Sequence, residues 1–463
     1  MVLVLPFASR MGDDGGGAYL AEAVSDELIT ALSQLGALSV IGRGTATTFR
    51  DTTDAPESCA VAVGADVVVS GSVAEGEGDA LSVVATIASV GAASNGNARE
   101  AVTVATTPLT FAAGVAELAE RVAARCGVSV SEAWRARVRR PISDHAEAFD
   151  LYMRGRYHAE QRPIGVKLAM QCFDRAIRLD GAIAGAFGGL AMLWANFGIF
   201  LALPPRGARD RAREQAKRAL AIDPSEPLAI ASLLANATFY EWDLALADTL
   251  GAQLMASHPS LVLPRQSLLY AHAARGDATA VRHLGAQVQR LDPRAVDPVN
   301  DYGFALLLTG DAAGAVAVLA PHAALHPAAS EVHRRLGLAL LGAGDAAAAV
   351  GHLERSVALS RRHAWGVANL ACAHAQAGNR DAARTILAEL EERADGELVP
   401  GVAMAMVHAA LGSTDAAFAA LDHALEMGDY WLLALDVDPL LAPLRQDPRF
   451  AERRARWQSI ARS

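Results

Sequence analysis

Two stretches that repeat each other decide the fold, Gly303-Phe-Ala-Leu-Leu-Leu-Thr-Gly310-Asp-Ala-Ala-Gly-Ala315 and Gly337-Leu-Ala-Leu-Leu-Gly-Ala-Gly344-Asp-Ala-Ala-Ala-Ala349. They lie 34 residues apart, and each contains a Gly-Asp pair. Glycine recurs at this spacing from residue 276 onward, at Gly276, Gly310, Gly344, Gly378 and Gly412. A fixed period of this length predicts an array of similar structural units.

Each unit has the features of a helix–turn–helix. A small residue precedes an alanine by 12 positions, as in Gly303 with Ala315 and Gly337 with Ala349, so two helices can cross closely there. The glycine between them ends the first helix in the left-handed conformation, and the following Asp caps the second helix. Thirty-four residues is the length of one tetratricopeptide unit. The pattern predicts an all-α solenoid, a right-handed superhelix of helix pairs that bury their apolar faces by stacking.

Weaker copies of the pattern extend upstream to about residue 145. Gly155 begins one such unit, and exit turns recur at Ile222-Asp-Pro224, His258-Pro259 and Leu291-Asp-Pro293. We therefore expect about eight repeats over residues 145–430, followed by a capping segment at 431–463.

Residues 1–130 lack the period and predict an α/β domain. Alternating and continuous apolar runs favour strands at 2–7, 38–41, 67–73, 81–90 and 101–105, with helices at 19–35 and 111–124. Residues 131–144 carry the run Arg135-Ala-Arg-Val-Arg-Arg140. We interpret this range as an Arg-rich linker, a solvated hinge rather than a basic segment that binds an acidic partner.

Composition narrows the possible partners. The chain has 463 residues, a formal net charge of −10 and 5% aromatic residues, so we expect no nucleic-acid partner. Its four cysteines contain no C-x-x-C pair, which favours unpaired thiols in the cytoplasm and no metal or other cofactor.

Residues 181–205 carry no charge and are long enough to span a bilayer. They fall where a repeat helix is due and contain several glycines, so we expect no membrane span.

The N-terminal residues also resemble a known family. Leu5-Pro-Phe7, Asp26-Glu-Leu-Ile29, Val40-Ile-Gly-Arg43, Gly64-Ala-Asp66 and Gly71-Ser-Val73 are similar to the TolB/FlgO-like α/β domain. The closing Trp431-Leu-Leu, Val437-Asp-Pro439 and Leu444-Arg-Gln-Asp-Pro-Arg-Phe450 resemble the end of the associated repeats. The resemblance implies the C-terminal region of a bacterial adenylate cyclase-type or winged-helix regulator. No residues precede the first strand to carry cyclase activity, so we expect none here.

Candidate catalytic and metal motifs are weak. The run 12–17 is rich in glycine but lacks the Lys-Ser/Thr of a phosphate loop, so we interpret it as a flexible connection. His322 and His326 are four residues apart but have no third ligand at a standard spacing. We expect them to be surface residues near a helix C-terminus, and we expect His374 and His408 to be packing residues.

The concave groove is the predicted binding surface. The repeat register places ten residues there: Asn300, Phe304, Leu307, Leu308, Arg334, Leu338, Leu341, Trp365, Cys372 and Met406. This stripe is largely apolar, which favours an apolar helix or an extended segment as ligand. Among the positions of a carboxylate clamp, only Asn369 fits. The alternative is that these residues bury one another inside a tight superhelix.

These observations predict a non-enzymatic protein–protein interaction scaffold or regulatory adaptor that holds a protein or peptide in the groove. Self-association through the N-terminal domain is a further expectation. One alternative is a small-ligand sensor or enzyme with its site near Asp26, Glu27 and Arg43 or between the domains. Another is a regulatory half that acts with a separate cyclase or DNA-binding effector.

Overall fold

The chain folds, in a computed structural model, into a small α/β domain followed by a long helical array. The structure describes residues 1–11, 17–78, 80–90, 99–161, 164–199 and 205–461. The predicted connection at 12–17 therefore lies outside the described residues except for its last position. Residues 200–204, which belong to the uncharged stretch, also lie outside the described residues.

The α/β domain is built on one mixed sheet. Strands β1 and β2 run parallel to β3, and β3, β4 and β5 are antiparallel, in the order β1-β3-β4-β5 with β2 also on β3. Pro6 has no N–H to donate, and the first predicted strand is divided around it. The strands are β1 (Val2–Val4), β2 (Ala8–Ser9), β3 (Val67–Glu75), β4 (Leu81–Ser89) and β5 (Arg99–Thr106).

The strand predicted at 38–41 is reduced to a single bridge between Val40 and Val2. Backbone N–H groups that would pair with a neighbouring strand in a longer ladder donate to residues of the helical array instead. Val40 N donates to Ser260 Oγ at 3.1 Å, and Gly42 N donates to the carbonyl of Leu291 at 2.6 Å. This segment therefore connects the two domains instead of extending the sheet.

Helices cover the sheet unequally. The long helices α1 (Ala18–Ser33) and α4 (Phe111–Arg125) bury Val69, Val83 and Ile87 on one face. The short helices α2 (Arg43–Thr47) and α3 (Pro56–Ala62) lie against the β1 and β3 end of the other face. The prediction of an α/β N-terminal part is confirmed.

The Arg-rich segment is a docked helix rather than a solvated hinge. Helix α5 (Glu132–Val138) begins with Ser131, whose side chain accepts from Trp134 N. The Trp134 side chain is buried, and its Nε1 donates to the carbonyl of Ala31 in α1 at 3.1 Å. Burial of this one indole fixes the segment to the domain, while the arginines on its other side form ion pairs with Glu120.

The rest of the chain consists of stacked helix pairs, as predicted. In the described residues there are eight pairs, and the first helices of successive pairs pack side by side. The pairs are α6–α7 (Ala146–Glu160, Val166–Leu179), α8–α9 (Ala184–Ile199, Pro205–Ile222), α10–α11 (Pro227–Phe239, Leu244–Ser257), α12–α13 (Leu263–Ala274, Ala278–Leu291), α14–α15 (Val296–Leu308, Ala312–Leu325), α16–α17 (Ser330–Gly342, Ala346–Leu359), α18–α19 (Ala364–Gln376, Arg380–Ala394) and α20–α21 (Gly401–Ala410, Thr414–Met427).

The turns inside α12–α13, α14–α15 and α16–α17 have the Gly-Asp chemistry that the sequence predicts. Gly310 and Gly344 have φ values of 86° and 89°, which L-residues with a Cβ rarely adopt. The side chains of Asp311 and Asp345 then accept from the backbone N–H three residues on. The small positions also act as expected: a Cβ on Gly337 would lie 2.6 Å from Leu353 Cγ. The repeat period therefore encodes turn, cap and helix crossing together.

The uncharged stretch forms part of the array. Helix α8 packs against α9 and α10, and its Phe187 and Leu190 are buried. Among the described residues, none of the helices combines the length and the apolar character that a membrane crossing requires.

The α/β domain docks on the loops between repeats. Asp292, in the loop between α13 and α14, accepts from Thr45 N at 2.5 Å, and Arg294 N donates to Thr45 Oγ1 at 2.8 Å. Gly44 fits closely here, because a Cβ on it would lie 2.4 Å from Ala295 Cβ. Helix α1 also packs on α6 in the first repeat, so one domain holds two distant parts of the array.

Candidate functional site

All ten residues predicted to line the groove lie on first helices and are buried. They come from α14, α16, α18 and α20, and none of them is more than 8% exposed. Phe304 and Trp365 are 3% and 6% exposed, and Cys372 is fully buried. The surface expected to be open to a partner is therefore covered by protein.

Over part of this surface the cover is the end of the same chain, which we call the C-terminal segment, residues 428–445. It begins at Gly428, whose φ of 70° turns the backbone away from α21. Two 3-10 turns, Tyr430–Ala434 and Pro439–Leu441, and helix α22 (Ala442–Arg445) follow, before α23 (Pro448–Ala461). The turns and α22 contact α10, α12 and α20. Because those helices belong to repeats three, four and eight, the segment crosses the groove from side to side.

Aromatic rings anchor the segment at the centre of the groove. Trp431 stacks on Phe304 of α14 and meets Trp365 of α18 edge-on, with ring centroids 6.0 Å apart. Its neighbour Tyr430 meets Trp365 and, on the opposite wall, Phe239 of α10. Stacked and edge-on contacts of this kind stabilise beyond the area they bury, so these two residues anchor the segment in the groove.

Two buried aspartates shape the segment. Asp429 accepts from Trp431 N at 3.0 Å and from Val402 N at 3.1 Å, and so caps α20. Burial raises its pKa to about 6, although those N–H groups oppose the shift. Asp438 accepts from Trp431 Nε1 and Leu440 N, both at 2.9 Å, and burial raises its pKa as well. Both carboxylates are thus engaged inside the segment and at its contact with α20.

Two adjacent arginines of α16 face the segment. Arg334 donates to Asn369 Oδ1 at 3.0 Å and pairs with Glu331 at 2.7 Å. Arg335 lies over the ring of Phe304, 3.7 Å from its centroid, and its Nη2 donates to the Tyr270 hydroxyl at 3.0 Å. Asn369 is therefore engaged by Arg334 and is not arranged as a carboxylate clamp.

A small cavity remains between the segment and the groove. Five predicted residues line it, namely Phe304, Arg334, Leu338, Trp365 and Met406, together with Arg335, Tyr430, Trp431 and Asp438. The other five predicted residues do not line it. Sequence reasoning missed Arg335, and it treated Trp431 only as part of a closing motif, because the 34-residue register carries no information about what lies opposite a first helix.

The N-terminal alternative site is a network of ion pairs. Arg43 contacts Glu22, Asp26 and Glu160, the last two at 3.0 Å, while Arg50 lies 3.1 Å from Glu22. Glu22, Asp26, Arg43 and Arg50 line a second small cavity between α1 and α2. Burial raises the pKa of Asp26 to about 6, although Arg43 and Arg156 oppose the shift. Glu27 lies outside this cavity and pairs with Arg156 of α6.

Of the two candidate metal histidines, His322 is buried and His326 is half-buried, which corrects the expectation that both are surface residues. His322 is 4% exposed, and its Nε2 lies 3.1 Å from the carbonyl of Val296. His326 makes the same kind of contact with the carbonyl of Arg294, at 2.8 Å. Both rings thus tie α15 to the start of α14. Within the described ranges, no three His, Cys, Asp or Glu side chains come together as a possible metal site.

Comparisons with known proteins agree with the helical array. Residues 340–400 match the tetratricopeptide repeat family model. The match assigns residues 340–400 to tetratricopeptide repeats, and the helix pairs on either side of them stack in the same way. A search of the curated proteins found no match.

Among solved structures, the chain is similar to a monomeric mutant of IFIT1 with Gppp-AAAA, at 12% identity over 73% of this chain and 85% of that one, TM-score 0.42. A tetratricopeptide repeat protein from Parabacteroides merdae matches at 12% identity over 56% of this chain and 100% of that one, TM-score 0.38. Yeast Tom70 matches at 14% identity over 68% of each chain, TM-score 0.39.

Proposed function

We propose that the protein is a non-enzymatic interaction scaffold whose concave groove holds an extended protein segment. One observation carries this proposal: the groove already holds such a segment, with Tyr430 and Trp431 seated between the first helices. The contacts resemble those of a peptide-binding groove, with aromatic anchors inside and a hydrogen bond from Val402 N of the groove to the side chain of Asp429. The formal net charge of −10 favours a protein over a nucleic acid as the partner.

The role of the N-terminal domain follows from the resemblance to TolB/FlgO-like domains. On that basis we propose a regulatory adaptor in the cytoplasm that acts with a cyclase or DNA-binding effector on another chain. Self-association has a candidate surface in β5, because in the described part of the sheet this strand pairs only with β4. An unpaired strand edge is a common template for a second chain.

The scaffold function is tested by selecting displayed peptides on the immobilised full chain. We expect enriched peptides to carry paired aromatic residues and to be displaced by a synthetic peptide of residues 427–445. The selection is repeated on Trp431→Ala, after its fold is verified by circular dichroism, because that change weakens the chain's own segment. Absence of enrichment on both proteins would argue against the scaffold function.

A second candidate is a sensor of a small polar ligand at the cavity between α1 and α2. The convergence of Glu22, Asp26, Arg43 and Arg50 on one cavity favours it. Thermal-shift screening of the full chain against nucleotides and metabolites tests this function. A shift that disappears in Arg50→Gln would support it, and the absence of any shift would reject it.

A further inference from the structure

The C-terminal segment leaves several buried hydrogen-bond donors of the groove without an acceptor. Arg335 is 8% exposed and Trp365 is 6% exposed, so both side chains are more than nine-tenths buried. Arg335 Nε and Nη1 and Trp365 Nε1 have no hydrogen-bond acceptor. Both residues line the cavity between segment and groove. The wall of the groove therefore presents three N–H donors at a place where the segment supplies no acceptor.

The segment has no free carboxylate for these donors. Asp438 lines the same cavity, but it already accepts from Trp431 Nε1 and Leu440 N. Asp429 accepts from Trp431 N and Val402 N. On the groove side, Glu331 Oε2 is 4.0 Å from Arg335 Nε, which is beyond hydrogen-bond distance, and it pairs with Arg334 instead. Buried donors without acceptors are costly, so the segment is an incomplete ligand for this groove.

The charges of segment and groove are nevertheless complementary. The segment brings the carboxylate of Asp438 to a cavity whose opposite wall carries Arg334 and Arg335. The connection to α21 is the single left-handed residue Gly428. The other end continues into α23, whose Arg453 pairs with Asp422 of α21, so release of the segment would displace a loop that is tethered at both ends.

We propose, building on the scaffold function, that the C-terminal segment is an exchangeable occupant of the groove. The partner is a protein segment that carries the same aromatic pair and one additional carboxylate, which accepts from Arg335 and Trp365. Such a partner displaces residues 428–445 and fills the cavity that they leave. The groove is therefore closed by the chain itself until a better ligand binds.

Three labelled peptides test the proposal on the full chain. The first has the sequence of residues 427–445. The second carries Leu440→Glu, which places a carboxylate at a position that lines the cavity. The third carries Leu440→Gln, which has the same size and no charge. We expect the Leu440→Glu peptide to bind at least tenfold more tightly than either of the other two, as measured by fluorescence anisotropy.

Displacement is measured by hydrogen exchange of residues 430–445 in the chain. We expect the Leu440→Glu peptide to accelerate this exchange while exchange in α14 and α16 stays unchanged. In Arg335→Gln, verified as folded, the advantage of the Leu440→Glu peptide should fall to less than threefold.

Three results would overturn the proposal. One is equal binding of the Leu440→Glu and Leu440→Gln peptides, and another is exchange of residues 430–445 only on global unfolding. The third is a dimer in sedimentation that the first peptide dissociates, because it would make a second copy the occupant. If displayed peptides are enriched but leave the exchange of residues 430–445 unchanged, the scaffold function stands and this proposal fails.

Discussion

The indole of Trp431 lies against the ring of Phe304, with centroids 5.4 Å apart and ring planes 25° apart. Phe304 sits on a first helix in the middle of the array, and Trp431 lies just beyond the last helix pair. This contact brings the end of the chain to the centre of the groove. It buries the Trp431 ring among the first helices and anchors the C-terminal segment there.

Loss of the Trp431 ring should destabilise the solenoid. We expect Trp431→Ala to lower the free energy of unfolding by about 3–5 kcal/mol, because truncation of a buried aromatic ring removes apolar contacts and leaves a cavity. Urea unfolding followed by circular dichroism measures the change. Leu433→Ala, in the same 3-10 turn but only half buried, is the matched control and should cost less than half as much. Equal losses in the two variants would show that Trp431 is not the anchor.

The close crossing at Gly337 should not tolerate a methyl group. A Cβ there would lie 2.6 Å from Leu353 Cγ and 3.2 Å from the Ala349 carbonyl oxygen, so Gly337→Ala should destabilise by about 1–3 kcal/mol. Gly351 lies on the exposed side of α17 with nothing within 4 Å of the added Cβ. Gly351→Ala should therefore raise the free energy of unfolding by up to about 1 kcal/mol. Thermal unfolding should shift in opposite directions for the two variants, and a shift of the same sign would refute the packing role of Gly337.

A larger residue at Gly44 should separate the α/β domain from the array. The added side chain of Gly44→Val would collide with Ala295, and we expect faster hydrogen exchange at residues 38–47 and 291–295. Gly36→Val is the control, since nothing lies within 4 Å of a Cβ at that position. If hydrogen exchange at residues 38–47 and 291–295 is as slow in Gly44→Val as in the wild type, the docking contact is not formed as described.

His322 should make the protein sensitive to acid. Burial lowers its pKa from 6.5 to about 4, so the folded state favours the neutral ring. The stability that depends on this ring is present above pH 6.5 and is lost as the pH falls towards 4. Relative to His322→Gln, which does not titrate, the wild type should lose about 2.5 kcal/mol between pH 7 and pH 4.5. Urea unfolding of both proteins at the two pH values measures this difference. If the difference in free energy of unfolding between the wild type and His322→Gln does not change with pH, the prediction is wrong.

Much of the fold could be predicted because its determinants are local. The left-handed turn at Gly344, the cap at Asp345 and the crossing at Gly337 each depend on residues a few positions apart, and a period of 34 repeats them. The strand predicted at 38–41 was wrong for a non-local reason, since Val40 N donates to Ser260 of the third inter-repeat loop. The solvated hinge predicted within residues 131–144 was wrong because Trp134 is buried against α1 and the neighbouring arginines pair with Glu120 of α4.

The site was predicted only in part. The register placed Phe304, Arg334 and Trp365 on the inner surface, because a position within the repeat fixes which side of a helix a residue occupies. It could not show that residues 428–445 lie opposite them, since that contact depends on how far the array curves. Arg335 was missed because its neighbour Arg334 already filled the groove position in the register.

The docking of the α/β domain also has a mechanical consequence. The domain holds α6 in the first repeat and, through Thr45 and Asp292, the loop after the fourth. In a solenoid each unit contacts only its neighbours, so small changes of angle between units can add up to a change of pitch. Here any change of pitch over the first four repeats must break one of the two attachments. The α/β domain therefore braces repeats one to four, and the C-terminal segment, which contacts α10, α12 and α20, braces the later repeats against repeats three and four.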